Sequence, residues 1–299
     1  MSSNNEKQAA ADFVECVRLN QEKLRFDLKA QYDFVVCGSG SSGSVIARRL
    51  AENPEVSVLL LEAGGSDDTP SVTEALRWFE NLGTERDWNF AAQPNPQLKG
   101  RSIPLSMGKV LGGGSSINVM AWARGHKNDW DFFASESGDP AWNYESVLQI
   151  YKRIEDWQGT PDPKHRGTGG PVFVQSAPDP NPIAPAMVEG ARSIGIPTFE
   201  SNNGHMMEAH GGASILDLRV RDGKRLSVFR SYTFPLHGPA KPDGAYIGAR
   251  YTADVRGEAG HRCRDRLQRQ EASHRSGIGG GAVTRCDPYA KGANAVWNW

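Results

Sequence analysis

An α/β fold is predicted for most of this 299-residue chain, and three stretches predict it. "YDFVVC" (32–37) is a short, β-rich apolar run that ends at a glycine and reads as a buried strand. "SVIARRLAE" (44–52) has apolar residues at helical spacing, with Val45, Ile46 and Leu50 on one side. "VSVLLLE" (56–62) is a second apolar strand. A strand, a helix and a strand in close succession call for parallel pairing across a helical crossover.

The turn between the first strand and the helix is "GSGSSG", with Gly38, Gly40 and Gly43 at G-x-G-x-x-G spacing. Each glycine has a task. Gly38 permits the tight exit from the strand, Gly40 lets a pyrophosphate approach the backbone, and Gly43 lets the helix pack closely on the strand. The helix N-terminus adds unpaired N–H groups and a partial positive charge. Glu62 follows Gly38 by 24 residues and ends the second strand, where a carboxylate can bond ribose hydroxyls. A bare glycine triplet often marks only a loop. Strand, helix, strand and acid in this order point to a Rossmann-like dinucleotide site, with NAD and FAD both open. Glu62 disfavours NADP, whose 2′-phosphate it would repel. Cys37, inside the strand, reads as a small buried hydrophobe.

Bulk properties exclude several classes. A net charge of −1 points to neither nucleic acid nor an anionic membrane. No apolar run is long enough for a transmembrane helix. The start, "MSSNNEKQAAADF", lacks the basic-then-apolar layout of a signal peptide. Cys16, Cys37, Cys263 and Cys286 form no C-x-x-C pair, so a reducing cytoplasm is the expected location. His165, His205 and His210 show no ligand spacing, and no metal is expected. The cluster Arg219, Arg221, Lys224 and Arg225, around an Asp-Gly turn, reads as a solvated face because it lacks interleaved aromatics. "AADFVECVRLNQEKLRFDLKAQ" (10–31) has amphipathic spacing and reads as an N-terminal packing helix.

The most informative stretch is "SMGKVLGGGSSINVMAWARGHKNDWDFF" (106–133). It is no Walker loop, because no G-K-[ST] closes it. It is a second glycine-rich site of close backbone approach. Together with the first motif it closely resembles the glucose–methanol–choline (GMC) oxidoreductases, flavoproteins that oxidise alcohols with FAD. The resemblance runs from about Tyr32 to Pro235 and includes "ERDWNFAAQPNP", "RSIPLSMGKVLGGGSSINVMAWARG", "WNYESVLQIYKRIEDW", "GTGGPVFV" and "NNGHMMEAHGG".

The resemblance favours FAD over NAD and implies the site residues. Gly38, Gly40, Ser42 and Gly43 hold the FAD pyrophosphate, with Ser39 beside them. Glu62, with Ala63, holds the adenosine ribose. Gly108, Gly112, Ser116, Asn118 and Val119 line the flavin or its phosphates. Some relatives carry a histidine just before this asparagine, bonded covalently to the flavin. Ile117 stands there, so non-covalent FAD is expected. Val119 replaces a frequent glycine and crowds the position. The implied substrate is a small-molecule alcohol, choline or another; which one, and the electron acceptor, stay open. The implied layout is an N-terminal helix (1–30), an FAD-binding domain (31–154), a partial substrate-side region (155–236) and a tail (237–299).

That tail differs in composition. Residues 237–299 hold six Leu, Ile, Val, Phe or Met in 63, with ten glycines and eight arginines, and carry +4 against −5 for the rest. Such a segment is expected to be disordered or poorly packed. Relatives continue after "FP" with a strand-rich half that holds a second signature and a catalytic histidine. Read one base forward from within the His237 codon, "HGPAKPDGAY" becomes compatible with MDRPNLTVLT and "CDPYAKGANAVWNW" with AIHTPKVLMQSGIG, strings of the kind relatives carry there. The tail is therefore expected to be an out-of-frame translation, caused by one net extra nucleotide near Leu236. No residue of 1–299 matches the catalytic histidine, so the resemblance implies an alcohol oxidoreductase whose catalytic half this chain lacks. The other readings are a non-catalytic FAD-binding remnant and an NAD-dependent dehydrogenase.

Overall fold

The computed structural model describes residues 31–237, seven positions between 8 and 19, and the backbone of 249–253, 283–285 and 294–297. The chain divides into two compact units, 1–117 with 227–299, and 118–226. This division differs from the expected 31–154 and 155–236. The first unit is discontinuous: the chain leaves it after Ile117 and returns at Ser227, which a linear reading of composition does not reveal.

The first unit contains the expected strand–helix–strand. Strand β1 (Phe34–Cys37) leads through the glycine turn into helix α1 (Ser41–Leu50) and on to β2 (Val58–Glu62). β1 and β2 pair in parallel, Phe34 opposite Val58 and Cys37 opposite Leu61. Val36, Ala47, Ala51, Val58 and Leu60 form the buried core, with Phe34, Ile46, Leu50 and Val56 around it. The fully buried positions of α1 are the small ones, Gly43, Ser44 and Ala47. Small side chains bring the helix backbone close to the sheet, while Val45, Ile46 and Leu50 are only half-buried. Cys37, at the strand end, is half-buried as well.

The expectation of a poorly packed tail falls on residues that lie mostly outside the described ones. Three stretches of backbone are the exception. Ala249–Ala253 pairs in parallel with β2, and Asn294–Trp297 pairs in parallel with β1. Val283–Arg285 runs antiparallel to Asn294–Trp297. Most of the segment expected to form the N-terminal helix lies outside the described residues; those described between 8 and 19 are helical, and the Phe13 ring lies 5.7 Å from that of Phe234.

The second unit is built on a four-stranded sheet in the order Ala121–Trp122, Asp217–Leu218, Val172–Ser176, Glu155–Trp157. Helix Lys127–Ser137 starts with a capping box between His126 and Asp129 and stops at the left-handed Gly138. Helix Tyr144–Ile154 is capped by Asn143 and buries Tyr144, Val147 and Leu148; Tyr144 and Leu148 form a cluster with Met207. The Asp222-Gly223 turn joins Val220–Arg221 to Lys224–Arg225, and both turn residues have positive φ, as a two-residue hairpin requires. The solvated-face expectation fails at this hairpin. Arg221 and Lys224, paired across the hairpin, are exposed; Arg225 follows Lys224, faces the other side and is buried, and Arg219, just ahead of the hairpin, is buried too.

A charge network fills the interior of this unit. Arg166 grips Glu155 with two bonds, Nε to Oε2 (3.0 Å) and Nη2 to Oε1 (2.8 Å), and donates from Nη1 to Asp217 Oδ2 (2.7 Å). Arg124 pairs with the same Glu155. Trp122, Ser201 and Asn203 donate to the two carboxylates. Two arginines thus balance two carboxylates, all buried. Arg166→Met removes one cation and leaves a buried negative charge without its partner. It should cost about 3–5 kcal/mol, read as a fall in the urea midpoint followed by tryptophan fluorescence. An unchanged midpoint would show that the network is dispensable.

Candidate functional site

The first glycine turn is held by a carboxylate. Glu62 Oε2 accepts from the Ser39 N–H (2.8 Å) and from the Ser39 hydroxyl (2.7 Å), and Oε1 accepts from the Gly64 N–H (2.9 Å). Glu62 is 8% exposed and Ser39 fully buried. Ser39 Oγ in turn accepts from the Gly112 N–H (3.1 Å), which ties the first glycine segment to the second. The Ser44 hydroxyl closes the turn onto Ser39 O (2.7 Å). Gly38 has φ +93°, a conformation that disfavours any other residue.

Helix α1 starts on Gly40 with no side-chain cap and no acid in its first turn. The N–H groups of an uncapped first turn have no intrahelical partner and suit an anion. Ser42 is exposed beside them.

The second loop packs on the first, backbone to backbone. A Cβ on Gly113 would lie 2.8 Å from Gly40 Cα, and one on Gly108 would lie 2.2 Å from the Gly113 carbonyl carbon. A Cβ on Gly64 would lie 2.0 Å from the Lys109 carbonyl carbon, and one on Gly112 would lie 2.3 Å from Ser116 Oγ. No residue but glycine fits these places without displacing main chain or the Ser116 brace. The two glycine loops therefore meet main chain to main chain, with no side chain of these glycines between them. Ser116 is fully buried and turns its hydroxyl to Leu111 O (2.6 Å), so its side chain braces the loop. Ala63 is exposed next to Glu62. Ile117 is buried in a cluster with Val72 and Val110.

Asn118 and Val119 belong to the second unit, where both are exposed. Asn118 Oδ1 accepts from Arg225 Nη1 (2.9 Å) and from the Met120 N–H (3.0 Å). Burial, with Arg219 adding to it, pushes the Arg225 guanidinium down to about 10.

Several supporting residues escaped the sequence reading. Helix Val228–Tyr232, read only as part of a mixed basic and apolar run, braces the second loop: the Val228 N–H donates to Ser115 Oγ (2.9 Å). Arg230 Nε and Nη2 grip the buried Asp67 at 2.5 and 3.0 Å, although burial pushes the Asp67 carboxyl up. These partners are 163 residues apart, so no local pattern announces them. Elsewhere, His165, His205 and Glu208 come together in the second unit, although the histidines looked scattered in sequence.

Asp87 sets the approach to the second loop. Its carboxylate accepts from the N–H groups of Gly83 (3.1 Å), Asn89 (3.0 Å) and Met107 (3.0 Å), the last of these next to Gly108. Burial pushes this carboxyl up, but the bonds outweigh it and hold it below the usual carboxylate range. A depressed carboxyl stabilises the fold above its unfolded value near pH ~4 and loses that contribution as pH falls through its folded value. Asp87→Asn should therefore cost about 1–3 kcal/mol at neutral pH. The difference from the parent should shrink below pH ~4 in urea denaturation series. A constant difference across that range would contradict the assignment.

Comparison with known proteins identifies the family. Residues 32–251 match the family model for GMC oxidoreductases. The oxygen-dependent choline dehydrogenase of Brucella suis is 40% identical over 205 residues, which cover 68% of this chain and 36% of that protein. The enzyme of the same name from Sinorhizobium medicae is 39% identical over 207 residues, covering 69% and 37%. Among solved structures, pyridoxine 4-oxidase from Mesorbium loti superposes with a TM-score of 0.63 at 32% identity, over 67% of this chain and 39% of that one. A point variant of formate oxidase from Aspergillus oryzae RIB40, solved for the effect of the mutation on FAD modification, gives 0.62 at 26% identity over 74% and 38%. The chain thus spans little more than a third of the length of these relatives. Since the family match covers well over half of its residues, the chain belongs to the GMC oxidoreductase family.

Proposed function

We propose that this chain is the cofactor-binding part of an FAD-dependent oxidoreductase acting on CH–OH groups, with an alcohol of the choline type as the ancestral substrate. The observation that carries the reading is the packing of Gly113 on Gly40, beside the uncapped start of α1. It offers main-chain donors to a pyrophosphate and leaves no room for side chains. FAD, when bound, supplies the acceptor for a hydride from the carbinol carbon. The chain's own residues bind and orient. Gly38, Gly40, Ser42 and Gly43 take the pyrophosphate, Glu62 and Ala63 the adenosine ribose. Gly108, Gly112, Asn118 and Val119 line the flavin side. Ser39 and Ser116 shape the loops, since their hydroxyls are already engaged within the protein. Ile117 offers no nucleophile for a flavin link, so FAD is held non-covalently.

Oxidising an alcohol also requires a base within hydrogen-bond reach of its hydroxyl. The histidine that serves relatives has no match here. We infer that the polypeptide as written binds cofactor without turning over, and that the reading frame changes near Leu236. The expected location is the cytoplasm; among the described residues, no helix is long and apolar enough to cross a membrane.

Acid precipitation of the flavin-loaded chain should leave all of the flavin in the supernatant. Choline or a primary alcohol with an artificial electron acceptor should give no turnover until the frame downstream of Leu236 is restored. Yellow precipitate would contradict the non-covalent reading. Turnover by the chain as written would contradict the missing base, and an uninterrupted reading frame in the transcript would remove the frameshift.

A further inference from the structure

A three-ligand cluster in the second unit lies outside everything assigned to the flavin. Residues His205–Glu208 form a single tight 3-10 turn. In such a turn residues three apart eclipse one another, so His205 and Glu208 project from the same side. His165 comes from another segment, the turn that Asp162 closes by accepting from the His165 and Arg166 N–H groups (3.1 and 2.7 Å). His165 is 4% exposed, and its ring is held at both ends: Nδ1 lies 2.7 Å from Asp162 Oδ2, and Nε2 lies 3.1 Å from Glu208 Oε1. One ligand atom from each of His165, His205 and Glu208 falls within 4.8 Å of the other two.

We propose that His165 Nε2, a ring nitrogen of His205 and a carboxylate oxygen of Glu208 bind a divalent transition-metal cation of the zinc class. Two imidazoles and a carboxylate are a ligand set such cations accept, with a fourth position left to water. Ligand atoms about 2.0–2.2 Å from zinc in a tetrahedron lie roughly 3.3 Å from each other. His165 and Glu208 already stand at that separation. His205 is exposed, so its ring can turn inward, and it leaves a path from solvent. Asp162 supplies what a metal-bound imidazole needs on its far side: a carboxylate on Nδ1 that fixes the tautomer and leaves Nε2 as the ligand.

Two further groups touch Glu208. Tyr144 donates its hydroxyl to Oε1 (3.2 Å), and Lys164 Nζ lies 2.6 Å from Oε2. The lysine side chain is 64% exposed and can swing out. It competes for the same carboxylate, so its removal favours the cation. The bound ion would clip segment 162–167 to the 205–208 turn within this unit.

The test is calorimetric titration of the full chelator-treated chain with zinc chloride, alongside metal analysis after gel filtration. The prediction is one zinc per chain, with binding weakened at least about tenfold in His205→Ala. That substitution removes an exposed side chain and leaves the fold intact. Lys164→Ala should bind more tightly than the parent, an effect that a purely structural hydrogen-bond cluster would not produce. Absence of zinc binding, or binding of equal strength in the parent and His205→Ala, would overturn the site; the second result would place the metal on other residues, such as the cysteines.

Discussion

The bond set around Glu62 holds the two glycine loops of the first unit in shape. One carboxylate takes both donors of Ser39 and the main chain of Gly64, so the exits of β1 and β2 are locked together. Ser39 then passes the constraint to Gly112, and with it to the second glycine loop. Only then can Gly113 rest on Gly40 without a side chain between them. A buried carboxylate is stable only when its lone pairs are satisfied, and here the donors that satisfy it are those of the turn it must shape. Glu62 has therefore a structural task beside the ribose contact expected of it.

The core of the first unit was legible in sequence because its signals are local. Glycines at fixed spacing, an alternation of apolar strand and amphipathic helix, and an acid at a strand end all lie within 31 residues, from Tyr32 to Glu62. What remained hidden depends on distant pairs. Asp67 with Arg230, and Ser115 with Val228, join segments that fold into one unit only after an excursion of more than a hundred residues. The basic cluster around the Asp-Gly turn does not form one face: Arg225 alternates away from Lys224 along its strand, and Arg219 is buried just ahead of the hairpin, where no local pattern marks it. The His165, His205 and Glu208 cluster offered one local hint, an H-x-x-E spacing, which becomes informative only on a 3-10 turn.

The second unit solves a different problem. Its interior is stapled by ions: Glu155 sits between two arginines, and Asp217 pairs with one of them while accepting from Ser201 and Asn203. Such a network adds little net stability over apolar packing, but it punishes the loss of any member and so defines one arrangement of its strands.

The most direct measurement of the central claim is FAD affinity, by quenching of flavin fluorescence, in the full chain and in Gly113→Ala, with circular dichroism to confirm that both are folded. If backbone amides of two touching glycine loops hold the pyrophosphate, the parent saturates with FAD. The added methyl should then cost roughly 1–3 kcal/mol, or about 5- to 150-fold in affinity. A folded parent that leaves the flavin signal unchanged, or a variant that binds as tightly as the parent, would contradict it.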